Sequence, residues 1–206
     1  LDTNNGTPTA WNPNASSTVM KLEKHNGKLY ACGSFSTLGG QASNRIAAFD
    51  LPSLSLSNWK PNFQGTSTWY SISNMFFTGD RVYVAGSFVA IGGSVRGRGA
   101  CVNTNTGAPY DYDPGSTSTL NVVCPSGDKV FVGGWSQTIG AETRTNIATL
   151  DAVTGVATAW KPFVEDTVKV VKTMGNDIFI AGNFKSAGGE TRNRVASFSK
   201  ASGNLN

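Results

Sequence analysis

Four copies of an all-β unit are what this sequence predicts, on three observations. The first is a repeat. Ala31-Cys32-Gly33-Ser34-Phe35, Ala85-Gly86-Ser87-Phe88, Val132-Gly133-Gly134-Trp135 and Ala181-Gly182-Asn183-Phe184 are followed by Gly39-Gly40, Gly92-Gly93, Ile139-Gly140 and Gly188-Gly189. Aligned on Gly33, Gly86, Gly133 and Gly182, the copies lie 53, 47 and 49 residues apart. The second is punctuation. Asn26-Gly27, Gly79-Asp80, Gly127-Asp128 and Gly175-Asn176 stand between short apolar runs, the mark of tight hairpins. The third is that no stretch carries a helical stripe, because Gly, Ser and Thr interrupt throughout. Four short strands in roughly 40 to 50 residues make the blade of a β-propeller.

Each unit reads in the same order. A first apolar run comes around Val19 to Leu22, Ile72 to Phe77, Leu120 to Val123 and Val168 to Val171. After the turn, a second run carries Tyr30, Tyr83, Phe131 or Phe179 into the aligned glycine. A third run follows the glycine pair and ends at Asp50, Asn103, Asp151 or Ser199. A fourth ends in Trp59-Lys60-Pro61, Tyr112-Asp113-Pro114 or Trp160-Lys161-Pro162. The units fall at about 15–62, 63–114, 115–163, and 164–206 joined by 1–14, in one propeller domain over 1–206. The joining of the ends is an expectation from phase. Trp11-Asn12-Pro13 closes a fourth strand with no unit before it, and the last unit stops near Gly203 without one. Pairing of these terminal strands closes the ring within the chain. Alternatively the chain is part of a larger propeller, with two chains completing an eight-bladed one. The aligned glycines fit crowded strands, and Trp135, in the place of Phe, is expected in the core.

Composition excludes several functions. Charged residues are 15% of the 206, against about 25% in an average domain. Gly, Ser, Thr and Asn supply 84 positions, a turn-rich and uncharged chain. The net charge of +4 comes without a Lys/Arg block, so no nucleic-acid partner is expected. No apolar run approaches the roughly 18 residues of a spanning helix, so no membrane insertion is expected. With Leu1 first and no signal-peptide pattern, the chain reads as a mature product, a fragment or an expression product. Three cysteines without a CxxC, and one histidine, cannot supply a zinc or haem ligand set, so no metal or cofactor is expected. Cys32 reads as a buried thiol, while Cys101 and Cys124 are either free or paired across neighbouring strands. His25 sits beside a hairpin turn and reads as exposed, which leaves no catalytic triad. Glu142 and Glu190 fall in different units and do not converge as a hydrolytic pair. Asp2, Asp50 and Asp151 share a repeat position suited to capping a turn. No enzyme is expected.

Two periodic sets are the candidate ligand-binding residues. Six of seven arginines follow a glycine pair or its equivalent, and Arg45, Arg98, Arg144 and Arg192 form a candidate ring for an anionic or sugar ligand. The competing role is to satisfy loop carbonyls within each unit. Trp11, Trp59, Tyr112 and Trp160 each precede a proline by two residues. Stacking on sugars is one role for them, and sealing the seams between units is the other. Trp69 stands outside this register. Asn5-Gly6-Thr7 and Asn14-Ala15-Ser16 are glycosylation sequons.

The pattern of Gly33, Phe35, Gly39, Gly40, Arg45, Ala48, Asp50, Trp59 and Pro61 resembles the delta-60 repeat, a β-propeller repeat of bacterial surface and secreted proteins. The resemblance runs in four copies over nearly the whole chain. The third copy departs from it, with Trp135 for Phe, Ala141 for the second Gly and Asn146 for Arg; the second has Tyr112 for Trp. The resemblance implies an extracellular or cell-surface module of a larger protein. The expected function is a non-catalytic structural or adhesive module, with other copies or neighbouring domains as partners. The alternative is a carbohydrate-binding propeller that uses the repeated Trp and Arg positions.

Overall fold

The computed structural model describes residues 2, 4–66 and 70–206; Trp69 lies outside the described residues. The first unit holds β1 (Val19–His25), β2 (Lys28–Gly33), β3 (Thr37–Leu38), β4 (Gln41–Ala42), β5 (Ile46–Asp50) and β6 (Ser55–Leu56). The second holds β7 (Phe63–Gln64), β8 (Ile72–Thr78), β9 (Arg81–Gly86), β10 (Ala90–Ile91), β11 (Ser94–Val95) and β12 (Gly99–Asn103). The third holds β13 (Leu120–Ser126), β14 (Lys129–Gly134), β15 (Thr138–Ile139), β16 (Glu142–Thr143) and β17 (Ile147–Asp151). The fourth holds β18 (Val168–Met174), β19 (Asp177–Gly182), β20 (Ser186–Ala187), β21 (Glu190–Thr191) and β22 (Val195–Ser199). In every unit the three long strands form an antiparallel meander, such as β1-β2-β5. The fourth strand is short: β6 on β5, and the single bridges Val102–Pro109, Leu150–Ala157 and Phe198–Leu205 elsewhere. No helix of the described residues is long and apolar enough to cross a membrane.

Local chemistry explains the hairpins. Asn26 and Gly27 both have positive φ, 42° and 73°, in the two-residue loop between His25 and Lys28. That geometry matches the strand twist and favours Asn-Gly. The glycine pairs make a second, smaller hairpin that two-residue strands leave invisible to periodicity. Gly39 and Gly40 turn β3 into β4 with φ of 59° and 75°. In the third unit Ala141 holds this place at φ 64°, where a Cβ is disfavoured.

The strand register corrects the glycine alignment. Gly33, Gly86 and Gly182 pair with Val19, Ile72 and Val168, and their equivalent opposite Leu120 is Gly134, not Gly133. A Cβ on any of these four would lie 2.0 to 2.2 Å from the carbonyl oxygen of Thr18, Ser71, Thr119 or Thr167. Each carbonyl accepts the N–H of the residue after the glycine at 2.9 to 3.1 Å, so it cannot retreat. The crowding therefore arises within a unit, beside a bulge in its first strand. Gly133, one residue earlier, faces the next unit, where a Cβ would meet Val168 Cγ1 at 2.6 Å. The one-residue shift turns the following side chains over. Ser136 takes the place of Phe35, Phe88 and Phe184 and is buried. Trp135 is 65% exposed and is not part of the core.

The units stack face to face, and alternation along each strand supplies the two faces. We call the face toward the next unit trailing and the opposite one leading. Tyr30, Cys32, Ile46 and Ala48 on the first trailing face pack on Met75, Val82, Val84, Ala100 and Val102 of the second unit. Tyr83, Ala85 and Cys101 likewise pack on Val123, Val130, Val132 and Leu150. Cys124, Phe131 and Ile147 pack on Val171, Ile178, Ile180 and Phe198. The third sheet thus lies between Cys101 and Cys124, and all three cysteines are free and buried. His25 ends β1 half-buried rather than exposed, its ring stacked on Phe77 with centroids 4.7 Å apart.

The chain ends also differ from expectation. The last unit has its own fourth-strand contact at Leu205, and Asn206 N–H donates to Ser197 O at 3.0 Å. Residues near the N-terminus pack on the first unit instead. Trp11 meets Phe49 edge to face at 5.3 Å, and Gly39 N–H donates to Pro13 O. The first strands β1 and β18, which a closed four-unit ring would join, make at most marginal contact.

Candidate functional site

The arginines belong to two repeat positions, not one ring. Arg45, Arg98 and Arg194 have φ of 68°, 66° and 71° at the entry to the third long strand. Arg45 donates from Nη1 to Ser34 O at 2.9 Å and Arg98 to Ser87 O at 2.7 Å; Arg194 makes the same bond to Asn183 O. Asn146 replaces them at φ 67°, accepting Ser136 N–H and donating to Val164 O. Arg45 also lies over the Tyr70 ring, 4.5 Å from its centroid. Arg96, Arg144 and Arg192 sit two residues earlier. Arg96 and Arg144 reach the carbonyls of Tyr110 and Thr158, each 14 residues on. Arg144 and Arg192 pair with Glu142 and Glu190 at 3.9 and 3.1 Å. These hydrogen bonds go to loop carbonyls of the same unit, while Arg45 also reaches Tyr70 of the second unit, and Arg45 and Arg98 are not brought together with Arg144 and Arg192.

The repeated aromatics are seam residues. Trp59 Nε1–H donates to Asn103 O and Trp160 Nε1–H to Ser199 O, both at 2.9 Å and both in the following unit. Tyr30 and Tyr83 hydroxyls likewise donate to Thr104 O and Ala152 O across their seams. Tyr112 is buried edge to face with Tyr83, its hydroxyl without a hydrogen-bond partner among the described residues, and burial holds its pKa well above the usual phenol value. Trp59, Tyr112 and Trp160 present no ring face to a sugar. Trp11 is half-buried on Phe49.

The shared Asp position caps its turn as the residue type requires. Asp151 accepts from Thr154 N, Thr154 Oγ1 and Val153 N, and these bonds, led by Thr154, lower its pKa. Asn103 does the same for Asn105 and Thr106. Asn5 and Asn14 are exposed. His25 Nε2–H donates to Gly79 O at 2.7 Å, at the edge of a cavity of about 240 Å³ that Lys21, Lys24 and Lys172 also line. Among the described residues, no group of three or more His, Cys, Asp or Glu could hold a metal ion.

One aromatic missed as a surface residue is exposed. Trp135 stands beside Thr117, Ser118, Ser136 and Gln137 around a shallow cavity of about 260 Å³. The signal for it was spacing. Gly33, Gly86 and Gly182 precede Gly39, Gly92 and Gly188 by six residues, and only Gly134 keeps that distance from Gly140.

No family model matches the chain, and no curated protein matches it. Solved structures do. The computationally designed Ika4 protein aligns over 89% of this chain and 92% of its own, with a TM-score of 0.59 and 13% identity. The fold is that of a β-propeller. The computationally designed Ika8 protein aligns over 92% of this chain with a TM-score of 0.58 and 12% identity. This propeller chain spans 48% of Ika8, about half its length. At such identities the likeness is one of fold.

Proposed function

We propose that this propeller is a non-catalytic interaction module of an extracellular or cell-surface assembly. One observation carries the reading: the repeated aromatics and arginines bond to backbone carbonyls of the scaffold. The repeat thus builds a rigid body whose open surface is sheet face and loop, suited to partners. The resemblance of its glycine, arginine and Trp-x-Pro pattern to the delta-60 repeat supports the surface setting, as does the low charge. The partners are other copies, neighbouring domains or glycans. Protease shaving of intact source cells tests the location: release of peptides from this chain is expected, and full protection in a cytosolic fraction overturns it. Turnover in a screen of glycoside and ester substrates, abolished by a point substitution that preserves the fold, overturns the non-catalytic part.

The exposed Trp135 favours a second reading, carbohydrate binding in the third unit. An aromatic face beside hydroxyl and amide groups is the chemistry that holds a sugar ring. A glycan array tests it with the wild type, Trp135→Ala and Gln137→Ala. Binding lost in both variants with unchanged circular dichroism supports it, and binding that survives Trp135→Ala removes it.

A further inference from the structure

The two flanks of the array are unpartnered at positions that are sealed everywhere else. Register places Leu22, Met75, Val123 and Val171 at one site on the leading face, opposite Ala31, Val84, Val132 and Ile180. Met75, Val123 and Val171 are at most 2% exposed, but Leu22 is 54% exposed. On the trailing face, Ile46 and Ile147 are at most 2% exposed, whereas their equivalent Val195 is 60% exposed. Val170 and Met174, which lie on the same side of the last unit, are exposed as well. Between them on β18 stands exposed Lys172, whose partner across the sheet is Phe179, half-buried where Tyr30, Tyr83 and Phe131 are fully buried. Large apolar side chains exposed together on one face, here around a lysine, mark an interaction site.

The repeat itself names the occupant. At all three internal seams, a trailing face is covered by the leading face of a following unit of this same chain. The last unit has an open trailing face, and the first has an open leading face. The first unit already keeps the outer part of such a seam formed. Trp11 lies on Phe49 as Trp160 lies on Phe198, and the open part is the inner one around Leu22. We infer that two copies of this chain bind head to tail, the trailing face of each fourth unit covering the leading face of the other's first, and close one ring of eight units. The faces in each contact are different, so the contact is heterologous and closes only if the rotation sums to a full turn. The chain aligns with 48% of Ika8, so two copies match the length of that propeller chain. Pro8 and Leu205 hold the same repeat position, so in the ring one of them lies beside Phe198 and the other is displaced. The ring gives the interaction module a partner in its own copy and rests on that reading.

Native mass spectrometry and light scattering on the 206-residue protein test it. The expected species has twice the chain mass of 21.6 kDa. A monomer throughout a concentration series, or an open-ended polymer, overturns the ring. Leu22→Glu and Val195→Glu each shift the species to monomer mass while keeping the strand signal in circular dichroism. Val95→Glu, on an exposed hairpin remote from both faces, leaves the dimer unchanged. The decisive arm mixes the two monomeric variants. One seam of a mixed pair joins an intact trailing face to an intact leading face, so a dimer returns. No return on mixing refutes the head-to-tail arrangement. A monomeric result leaves the surface module standing, whereas turnover or cytosolic location removes the module and leaves the dimer.

Discussion

Trp59 offers the sharpest test of the seam assignment. Its ring is buried between the first and second units, edge to face with Tyr30 at 5.1 Å, and its Nε1–H donates to Asn103 O at 2.9 Å. Two substitutions separate these contributions. Trp59→Phe keeps an aromatic body and loses the hydrogen bond, at a cost of about 0.5–1.5 kcal/mol. Trp59→Ala removes the ring as well and leaves a cavity between two sheets, at a cost of about 3–5 kcal/mol. For a chain of this length that corresponds to a fall in melting temperature of roughly 6–20 °C, at about 2–4 °C per kcal/mol. Trp135→Ala, at an exposed site, is expected within about 0.5 kcal/mol of wild type. Urea titration followed by circular dichroism reads all three. If Trp59→Ala unfolds at the wild-type midpoint, or if Trp135→Ala costs as much as Trp59→Ala, the division into seam and surface tryptophans is refuted.

Three other outcomes follow from the same geometry. Gly134→Ala pushes a Cβ against the Thr119 carbonyl and is expected to cost at least the ~1–3 kcal/mol of an overpacked core site; an unchanged denaturation midpoint would contradict the register. Burial pushes the Cys32 thiol up to about 12 and Cys101 up to about 11, so at pH 8 both stay protonated. Mass spectrometry should find neither alkylated by iodoacetamide in the native protein and both alkylated in denaturant; native labelling would count against the buried seams. Deleting residues 1–13 uncovers Phe49 and is expected to lower hydrogen-exchange protection in residues 29–49. Loss confined to residues 178–198 would mean instead that the N-terminal segment serves the last unit.

Much of this architecture is local and therefore legible in order of residues. Asn26-Gly27 and its equivalents impose hairpins, and glycines at a period near 50 residues mark four units, because these features depend on backbone conformation over a few positions. The polarity of Asp151 before Thr154 likewise carries its own turn. Trp135 shows where local reading stops. Gly133 and Gly134 are interchangeable in a pattern, yet a strand alternates its faces at every residue, so the choice between them exchanges a core side chain for a surface one. The six-residue spacing to Gly140 favours Gly134, and its pairing with Leu120 fixes the choice. The arginine sets needed tertiary structure for a related reason, since the carbonyls they reach lie 11 or 14 residues away across a loop. The flanks are the clearest case. Leu22 and Val195 look like any other repeat residue in the sequence, and exposure separates them from Met75 and Ile147. The repeat pattern encodes what a unit buries, but whether a neighbour is there to bury it is a property of position in the array, which the tertiary structure alone decides.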